Sequence, residues 1–290
     1  MALLSLSAIW GSSFLFIKLS IYSIPPSLLT FYRLLIASIF LLFFCNIKRI
    51  FQVNKKQFFC FLSIAIFGNV LPFNIISYSE KYVDSIVAAT LIGTMPLFTF
   101  LLSIFMSNTK KPDNFGLLGV LVGFIGMLVF INPFELNVIS YSLNASMLIV
   151  LSAFFYGLSA NFVNRIFGFS ALEIATYSTV IATVLSLPVL IFNFYYYDYS
   201  MVETLKRINS SSFFSATVLG ILCTGLAILV FFNLIKIKTP VFASQSNFLI
   251  PCFGSLWSFI FLSEKLSVFM FYGLTLIVLG GWLVNRSLKN

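Results

Sequence analysis

Apolar runs of about 20 residues, separated by short polar gaps, dominate this sequence of 290 residues. A helix rises about 1.5 Å per residue, so one such run crosses a hydrocarbon core about 30 Å thick. Charged residues make up 9% of the chain, whereas a soluble domain needs about 25% to cover its surface. Lipid is therefore the solvent for most of the chain. Each run must be a helix, because an open strand in lipid leaves backbone groups unpaired.

The apolar runs predict an all-α membrane protein with about ten transmembrane helices. Pro72, Pro96, Pro188 and Pro251 fall inside spans, and Pro96 and Pro251 are the main candidates for a local kink. The first span lacks a basic start and an A-x-A site, so we interpret it as a membrane helix rather than a signal peptide. Its abrupt start suggests that a few residues precede it. The predicted spans are 2–22, 26–45, 57–78, 83–106, 115–132, 143–163, 171–193, 212–234, 240–262 and 267–285.

The formal net charge of +9 belongs to cations in short gaps between the runs. This placement argues against nucleic acid, which would need a basic face on a folded domain. An even number of crossings puts both termini on one side, and a cytoplasmic N-terminus gives that side about twice the cations of the other. We therefore predict a multi-pass protein of the bacterial inner membrane with both termini cytoplasmic. The cytoplasmic cations are Lys48, Arg49, Lys55, Lys56, Lys110, Lys111, Arg165, Lys236, Lys238, Arg286 and Lys289.

The residue types of common enzyme sites are scarce. Histidine, the commonest general base and metal ligand, is absent from the sequence. The cysteines at positions 45, 60, 223 and 252 lie apart in apolar stretches and are interpreted as packing residues. We therefore expect no catalytic residue, no metal and no cofactor. Two alternatives remain open: a membrane-embedded enzyme acting on lipid or isoprenoid substrates, and a channel or other non-transporting membrane subunit.

The two halves of the chain repeat a set of short motifs in the same order. Trp10-Gly11 matches Tyr156-Gly157, Ala88 precedes Pro96 by the interval at which Ala243 precedes Pro251, and Gly119 and Gly126 match Gly273 and Gly280. Each half then holds about five helices, so the second copy enters the membrane inverted. Inverted repeats with a site at their interface are a transporter architecture.

The residues that carry these repeats resemble a known family. WGSSFLFIK at 10–18, the pair Pro25-Pro26, FYRLLIAS around Arg33, the segment 88–96 and the ending FLSEKLSVFMFYGLTLIVLGGWLV are similar to the drug/metabolite transporter superfamily, in its ten-helix EamA group. The resemblance implies two inverted five-helix repeats, residues 1–134 and 143–287, around a central cavity. It also implies transport of amino acids or related metabolites, by export or exchange. One departure is the sequence at 107–109, Ser-Asn-Thr, where the group often carries an acid like Glu264 of the second half.

Arg33 is the most informative candidate for a substrate site. It lies about 10 Å into its predicted helix, where an arginine costs about 2.5–3.5 kcal/mol unless it faces a cavity or a partner. One interpretation is a cation that attracts a substrate carboxylate or phosphate. The other is a structural arginine bonded to backbone carbonyls or extended toward the interface.

Further polar and aromatic residues within the spans are candidates for the cavity wall. Gln245 and Ser255 share a helical face from which Asn247 points away, and Asn74 and Tyr78 share another. The alternative for each is a hydrogen bond between helices, worth about 0.6 kcal/mol. The substrate-cavity candidates are Trp10, Arg33, Asn74, Tyr78, Tyr156, Asn161, Gln245 and Ser255.

The acidic residues bear on energy coupling. All eight lie in predicted loops or at helix ends, whereas proton-coupled carriers usually place a titratable group within the membrane. We therefore expect a facilitator or an exchanger, with Glu264 as the acid nearest a cavity mouth. The expected partners are a small-molecule substrate and the lipid bilayer; the sequence leaves the oligomeric state open.

Overall fold

A computed structural model describes residues 1–45, 53–106, 113–131, 142–197, 200–262 and 268–287, and these ranges are helical without a strand. Within these ranges, seven helices are long and apolar enough to cross a membrane, and shorter apolar helices accompany them. This confirms the predicted all-α, multi-pass class. The helices are α1 (Ala2–Ile21), α2 (Pro26–Phe44), α3 (Lys55–Ser79), α4a (Ser85–Ile92), α4b (Met95–Met106), α5 (Asn114–Ile131), α6 (Leu143–Asn164), α7 (Ala171–Tyr196), α8 (Ser210–Ile237), α9a (Pro240–Ser244), α9b (Ser246–Leu262) and α10 (Val268–Ser287), with a short helix at Met201–Arg207.

Four helices depart from regular α geometry. A π-helical segment occupies Ile66–Val70 in α3, and another occupies Leu219–Leu226 in α8. The fourth span divides before Met95 and the ninth divides at Gln245. Pro96 stands at the second position of α4b, where its missing N–H needs no partner. Pro251 lies within α9b, so the ninth span breaks ahead of this proline rather than at it.

Glycines bring α5 and α10 into close contact. A Cβ on Gly119 would lie 2.7 Å from the carbonyl oxygen of Gly280, and one on Gly126 would lie 2.7 Å from the backbone nitrogen of Ile277. Real side chains do not tolerate such distances, so each of these positions requires glycine. Small residues at this spacing are the usual means of close helix packing in lipid.

The remaining helices form a bundle whose contacts pair the two halves. Helix α1 packs on α9b and α6 packs on α4b, while α2 packs on α8 and α3 packs on α7. If each helix is replaced by its counterpart five positions along the chain, so that α1 becomes α6 and α9 becomes α4, the α1–α9b contact becomes the α6–α4b contact. The α2–α8 contact becomes the α3–α7 contact in the same way. The contacts α2–α7 and α5–α10 map onto themselves. This arrangement encloses a space between helices of both halves.

Candidate functional site

A cavity lies between α1, α2, α3, the fourth span, α6, α8 and the ninth span, with about 740 Å³ of empty space when the open space at its mouth is included. Its wall is mostly apolar, with several aromatic rings and a few polar groups, which is the usual composition of a small-molecule site. A small organic molecule with an apolar body fits such a wall. The polar and indole groups of the wall come from Trp10, Ser13, Arg33, Asn69, Tyr156, Ser159, Cys223 and Asn247.

Arg33 supplies the positive charge of this wall. Its side chain is 4% exposed. Its Nε donates a hydrogen bond to Oγ1 of Thr224 at 3.1 Å, and its guanidinium carbon lies 3.8 Å from the centre of the Phe73 ring. Thr224 belongs to the π segment of α8 and donates in turn to the carbonyl of Leu219. Among the described residues, Arg33 therefore contacts a hydroxyl and an aromatic face rather than the backbone carbonyls of the structural alternative.

Trp10 and Tyr156, which match in the two halves, both line the cavity. The Nε1 of Trp10 donates to the carbonyl of Cys223 at 3.2 Å, in the π segment of α8. The glycine that follows each aromatic residue lies at a tight helix contact. A Cβ on Gly11 would lie 2.8 Å from Cβ of Phe253, and one on Gly157 would lie 2.9 Å from the backbone nitrogen of Thr99. These contacts fix the rotation of α1 and α6 beside the cavity.

Three other candidates bond elsewhere. Nδ2 of Asn74 donates to the carbonyl of Val70 at 2.8 Å on its own helix. Tyr78 is 43% exposed and lies against the ring of Tyr82. Asn161 is buried and donates to the carbonyls of Thr99 and Gly157, at 3.1 and 2.9 Å, so it bonds α6 to α4b. Asn161 therefore makes a hydrogen bond between helices, which is the alternative to a place on the cavity wall.

The ninth span reverses the predicted orientations of two residues. Asn247 lines the cavity, whereas Gln245 lies in a separate groove with Leu3 and Trp282. The physical reason is the division of the span at Gln245, which interrupts the 3.6-residue period that the sequence argument assumed. The side chain of Ser255 lies outside the described part of the structure.

Two polar residues of the cavity wall, Asn69 and Ser159, were not predicted from the sequence. Asn69 lies in the π segment of α3 and is 1% exposed, and its Oδ1 has no hydrogen-bond partner among the described residues. Ser159 on α6 faces Gly68, where a Cβ would collide with its hydroxyl. The available signal was Gly68-Asn69 ahead of Pro72, because glycine and proline inside a span mark irregular backbone.

Glu80 is buried at one end of the bundle, directly after α3. Its side chain is 0% exposed. Oγ of Ser85 donates to Oε2 at 3.3 Å, and Oε1 has no hydrogen-bond partner among the described residues. Burial raises the pKa of Glu80 well above its usual range, although the hydrogen bond from Ser85 and the charges of Lys18 and Arg33 oppose that shift. Glu80 does lie at a helix end, as the sequence indicates, but that position does not expose it to water. The facilitator expectation rests on the positions of the acids along the chain, and it stays a prediction.

The covering residue at this end is Lys18 of α1. Its Nζ donates to the backbone carbonyls of Glu80 and Val83, at 2.6 and 3.2 Å, and not to the carboxyl group. Oγ of Ser85 also lies 3.3 Å from the carbonyl of Phe14. Phe14 and Ile76, from the two helices that meet here, line the cavity. The corner formed by Lys18, Glu80 and Ser85, called the acidic corner below, therefore lies next to residues of the cavity wall.

A multi-pass helical bundle around a mostly apolar cavity is an arrangement found in membrane transporters, and comparisons with known proteins agree. The sequence model of the EamA-like transporter family matches residues 1–132 and 143–286. The chain belongs to that family, which the sequence motifs predicted.

Relatives along the whole chain carry names of the same kind. An uncharacterized transporter of Bacillus subtilis, YoaV, is 23% identical over 282 residues, covering 97% of this chain and 94% of its own. An uncharacterized transporter of Archaeoglobus fulgidus is also 23% identical over 282 residues, covering 96% and 94%. A solved crystal structure matches with a TM-score of 0.72 over 100% of this chain and 97% of that one. Its 15% identity shows a shared fold alone.

Proposed function

We propose that this chain transports small organic solutes that combine a carboxylate with an apolar body, such as amino acids or related metabolites, across a bacterial inner membrane by export or exchange. The observation that carries the proposal is Arg33, a buried cation on the wall of a mostly apolar cavity that includes several aromatic rings. A guanidinium binds a carboxylate through parallel hydrogen bonds, which suits recognition of that group. The aromatic wall suits the apolar remainder of the solute.

The surroundings of Arg33 support a role in binding. Of its donors, Nε bonds Thr224, and the guanidinium stacks on Phe73. Both contacts hold the plane of the guanidinium in place on the cavity wall. A positioned guanidinium in a low-dielectric cavity attracts an anion more strongly than one in water. Trp10, Tyr156 and Asn247 add ring and amide groups for the rest of the solute.

We further propose that residues 1–134 and 143–287 are inverted repeats that alternate access to the cavity, with both termini in the cytoplasm. The exchange of helix contacts between the halves supports this arrangement. The π segments of α3 and α8, which are corresponding helices, support it as well. Interrupted helices at matching places of two repeats are a common feature of transporter sites.

The test is counterflow in proteoliposomes with a panel of amino acids, organic acids and neutral solutes. Wild type is compared with Arg33→Gln and with Arg286→Gln as a matched control, because Arg286 is an exposed arginine at the end of α10, beside Phe115 and Trp282. The proposal expects saturable exchange of carboxylate solutes in wild type and in Arg286→Gln, and its loss in Arg33→Gln. Equal exchange in all three proteins would contradict the role of Arg33. Absence of exchange by folded wild-type protein would contradict transport of these solutes.

A further inference from the structure

We propose that Glu80 is the proton-binding residue of the transport cycle, and that a proton moves together with each solute anion that Arg33 binds. The proposal rests on the function proposed above, since it requires an anion at Arg33. It begins from the acidic corner, where a fully buried carboxyl group lies close to the cavity and Lys18 bonds the backbone carbonyl of the same residue.

The hydrogen bonds of the acidic corner suit a neutral carboxyl group. The Glu80 carboxyl accepts one hydrogen bond, from Ser85, and the other oxygen has no protein partner among the described residues. The ammonium of Lys18 donates to two backbone carbonyls instead. Burial without an ion pair strongly disfavours the charged form of a carboxyl group, so in this closed arrangement Glu80 holds its proton.

The charged groups around Glu80 determine when the proton leaves. Lys18 of α1 and Arg33 of α2 are the cations that favour ionisation of Glu80. The fourth span contributes Ser85. Lys81 and Asp84, which flank Glu80 along the chain, are exposed to solvent. Opening this end admits water, the O–H bond of Glu80 breaks, and the proton passes to that water. The carboxylate that remains is stabilised by Lys18 and Arg33.

Binding of the solute shifts the protonation equilibrium of Glu80 back toward the neutral carboxyl group. A carboxylate on Arg33 neutralises the inner cation and adds a negative charge near Glu80, which disfavours ionisation of Glu80. By linkage, a protonated Glu80 favours binding of the anion to the same extent. The loaded carrier therefore closes with both the proton and the anion. Solute and proton then cross in the same direction.

The first test measures protonation without transport. Infrared difference spectra of the purified protein, recorded between acidic and alkaline pH, report the carbonyl stretch of a protonated carboxylic acid. The proposal expects such a band to persist at neutral pH in wild type and to be lost in Glu80→Gln. Glu203→Gln is the control, because Glu203 is an exposed acid in the short helix Met201–Arg207. A wild-type spectrum without the band at neutral pH would overturn the proposal.

The second test measures coupling in proteoliposomes that carry a pH-sensitive dye and a solute exchanged in the counterflow panel. We expect an inward proton gradient to drive solute uptake in wild type and in Glu203→Gln. In Glu80→Gln, which imitates the protonated residue, we expect exchange to persist and gradient-driven uptake to be lost. Exchange without proton movement in wild type would overturn the coupling while leaving the transport function intact. Gradient-driven uptake by Glu80→Gln would overturn the assignment of Glu80.

Discussion

The two ends of the bundle share a backbone plan but differ in charge. At the acidic corner, Lys18 of α1 donates to carbonyls that follow α3. At the other end, Lys236 of α8 donates to the carbonyl of Ile166, which follows α6. In the proposed repeats, α6 and α8 correspond to α1 and α3, so each end has a lysine that bonds the corresponding pair of helices. The position that matches Glu80 is Ile235, eight residues before Ala243 as Glu80 is before Ala88, and it is 1% exposed.

The comparison of the two ends distinguishes the lysine–carbonyl bond, which both ends have, from the buried carboxyl group of Glu80. The bond from lysine to carbonyl occurs at both ends, so it belongs to the packing that the proposed repeats share. A second buried acid, Glu173 at the start of α7, differs from Glu80 because the N–H and Oγ of Ser170 donate to its Oε2. Oε1 of Glu80 has no hydrogen-bond partner among the described residues, and the matching position is Ile235, so the packing of these helices does not require the carboxyl group. A function specific to that end, such as proton binding, is the simplest reason to retain a costly buried acid.

The largest expected effect follows from placing an acid at the apolar end. Ile235→Glu buries a carboxyl group without the serine donor that serves Glu80, so we expect a loss of about 3 kcal/mol or more in the free energy of unfolding. Ile235→Leu, which keeps the apolar volume, should cost less than about 1.5 kcal/mol. Denaturant unfolding in detergent measures both. Equal stability of the two variants would show that the end at Ile235 tolerates a buried carboxyl group as the acidic corner does, and would contradict the comparison.

Removal of the two lysines should have similar, intermediate effects. Lys18→Met and Lys236→Met each delete charge-assisted bonds to carbonyls, so we expect a loss of about 1.5–3 kcal/mol for each. Their effects on pH dependence should differ. Lys18 opposes the raised pKa of Glu80, so Lys18→Met should move the pH dependence of unfolding to higher pH. Lys236→Met should leave it in place, and the same shift in both variants would contradict the assignment.

The pH dependence of stability should itself depend on Glu80. The pKa of Glu80 is raised in the folded protein, so its stabilising contribution is complete below the unfolded pKa of about 4.3 and is lost as the pH rises through the folded value. The free energy of unfolding should fall by at most about 1.4 kcal/mol per pH unit in that window. Thermal unfolding from acidic to alkaline pH should show this slope in wild type and a flatter profile in Glu80→Gln. A slope that Glu80→Gln retains would belong to another group.

The smallest effect is expected outside both the cavity and the acidic corner. Tyr78→Phe removes a hydroxyl from a side chain that is 43% exposed. We expect a change within about 0.5 kcal/mol in stability and unchanged counterflow. A clear loss of exchange would show that the solute pathway extends along this face of α3.

The helices of this protein could be predicted from its sequence because lipid leaves few alternatives. The predicted span 26–45 and the observed α2 at Pro26–Phe44 differ by one residue. Trp10, Arg33 and Tyr156 lie at the cavity, and they were found from a repeat and from a charge inside a span. A repeated motif and a charge inside a span can both be recognised without knowing which way each helix is rotated about its axis.

Other features required tertiary information. Asn74 follows the π segment of α3, and Gln245 lies at the division of the ninth span, so a regular 3.6-residue period misplaces both. Burial of Glu80 depends on the end of α1, which is distant in sequence and brings Lys18 over it. A position at the end of a span carries no information about which helix covers it.

The most direct test of the account compares a solute with its own carboxamide. Counterflow of a carboxylate solute is measured while the unlabelled carboxylate or its amide competes, in wild type, Arg33→Gln and Arg33→Lys. We predict that wild type prefers the carboxylate strongly, that Arg33→Lys retains part of this preference, and that Arg33→Gln loses it. If Arg33→Gln distinguished the two competitors as well as wild type does, another group would bind the carboxylate, and the proposed role of Arg33 in the cavity would be wrong.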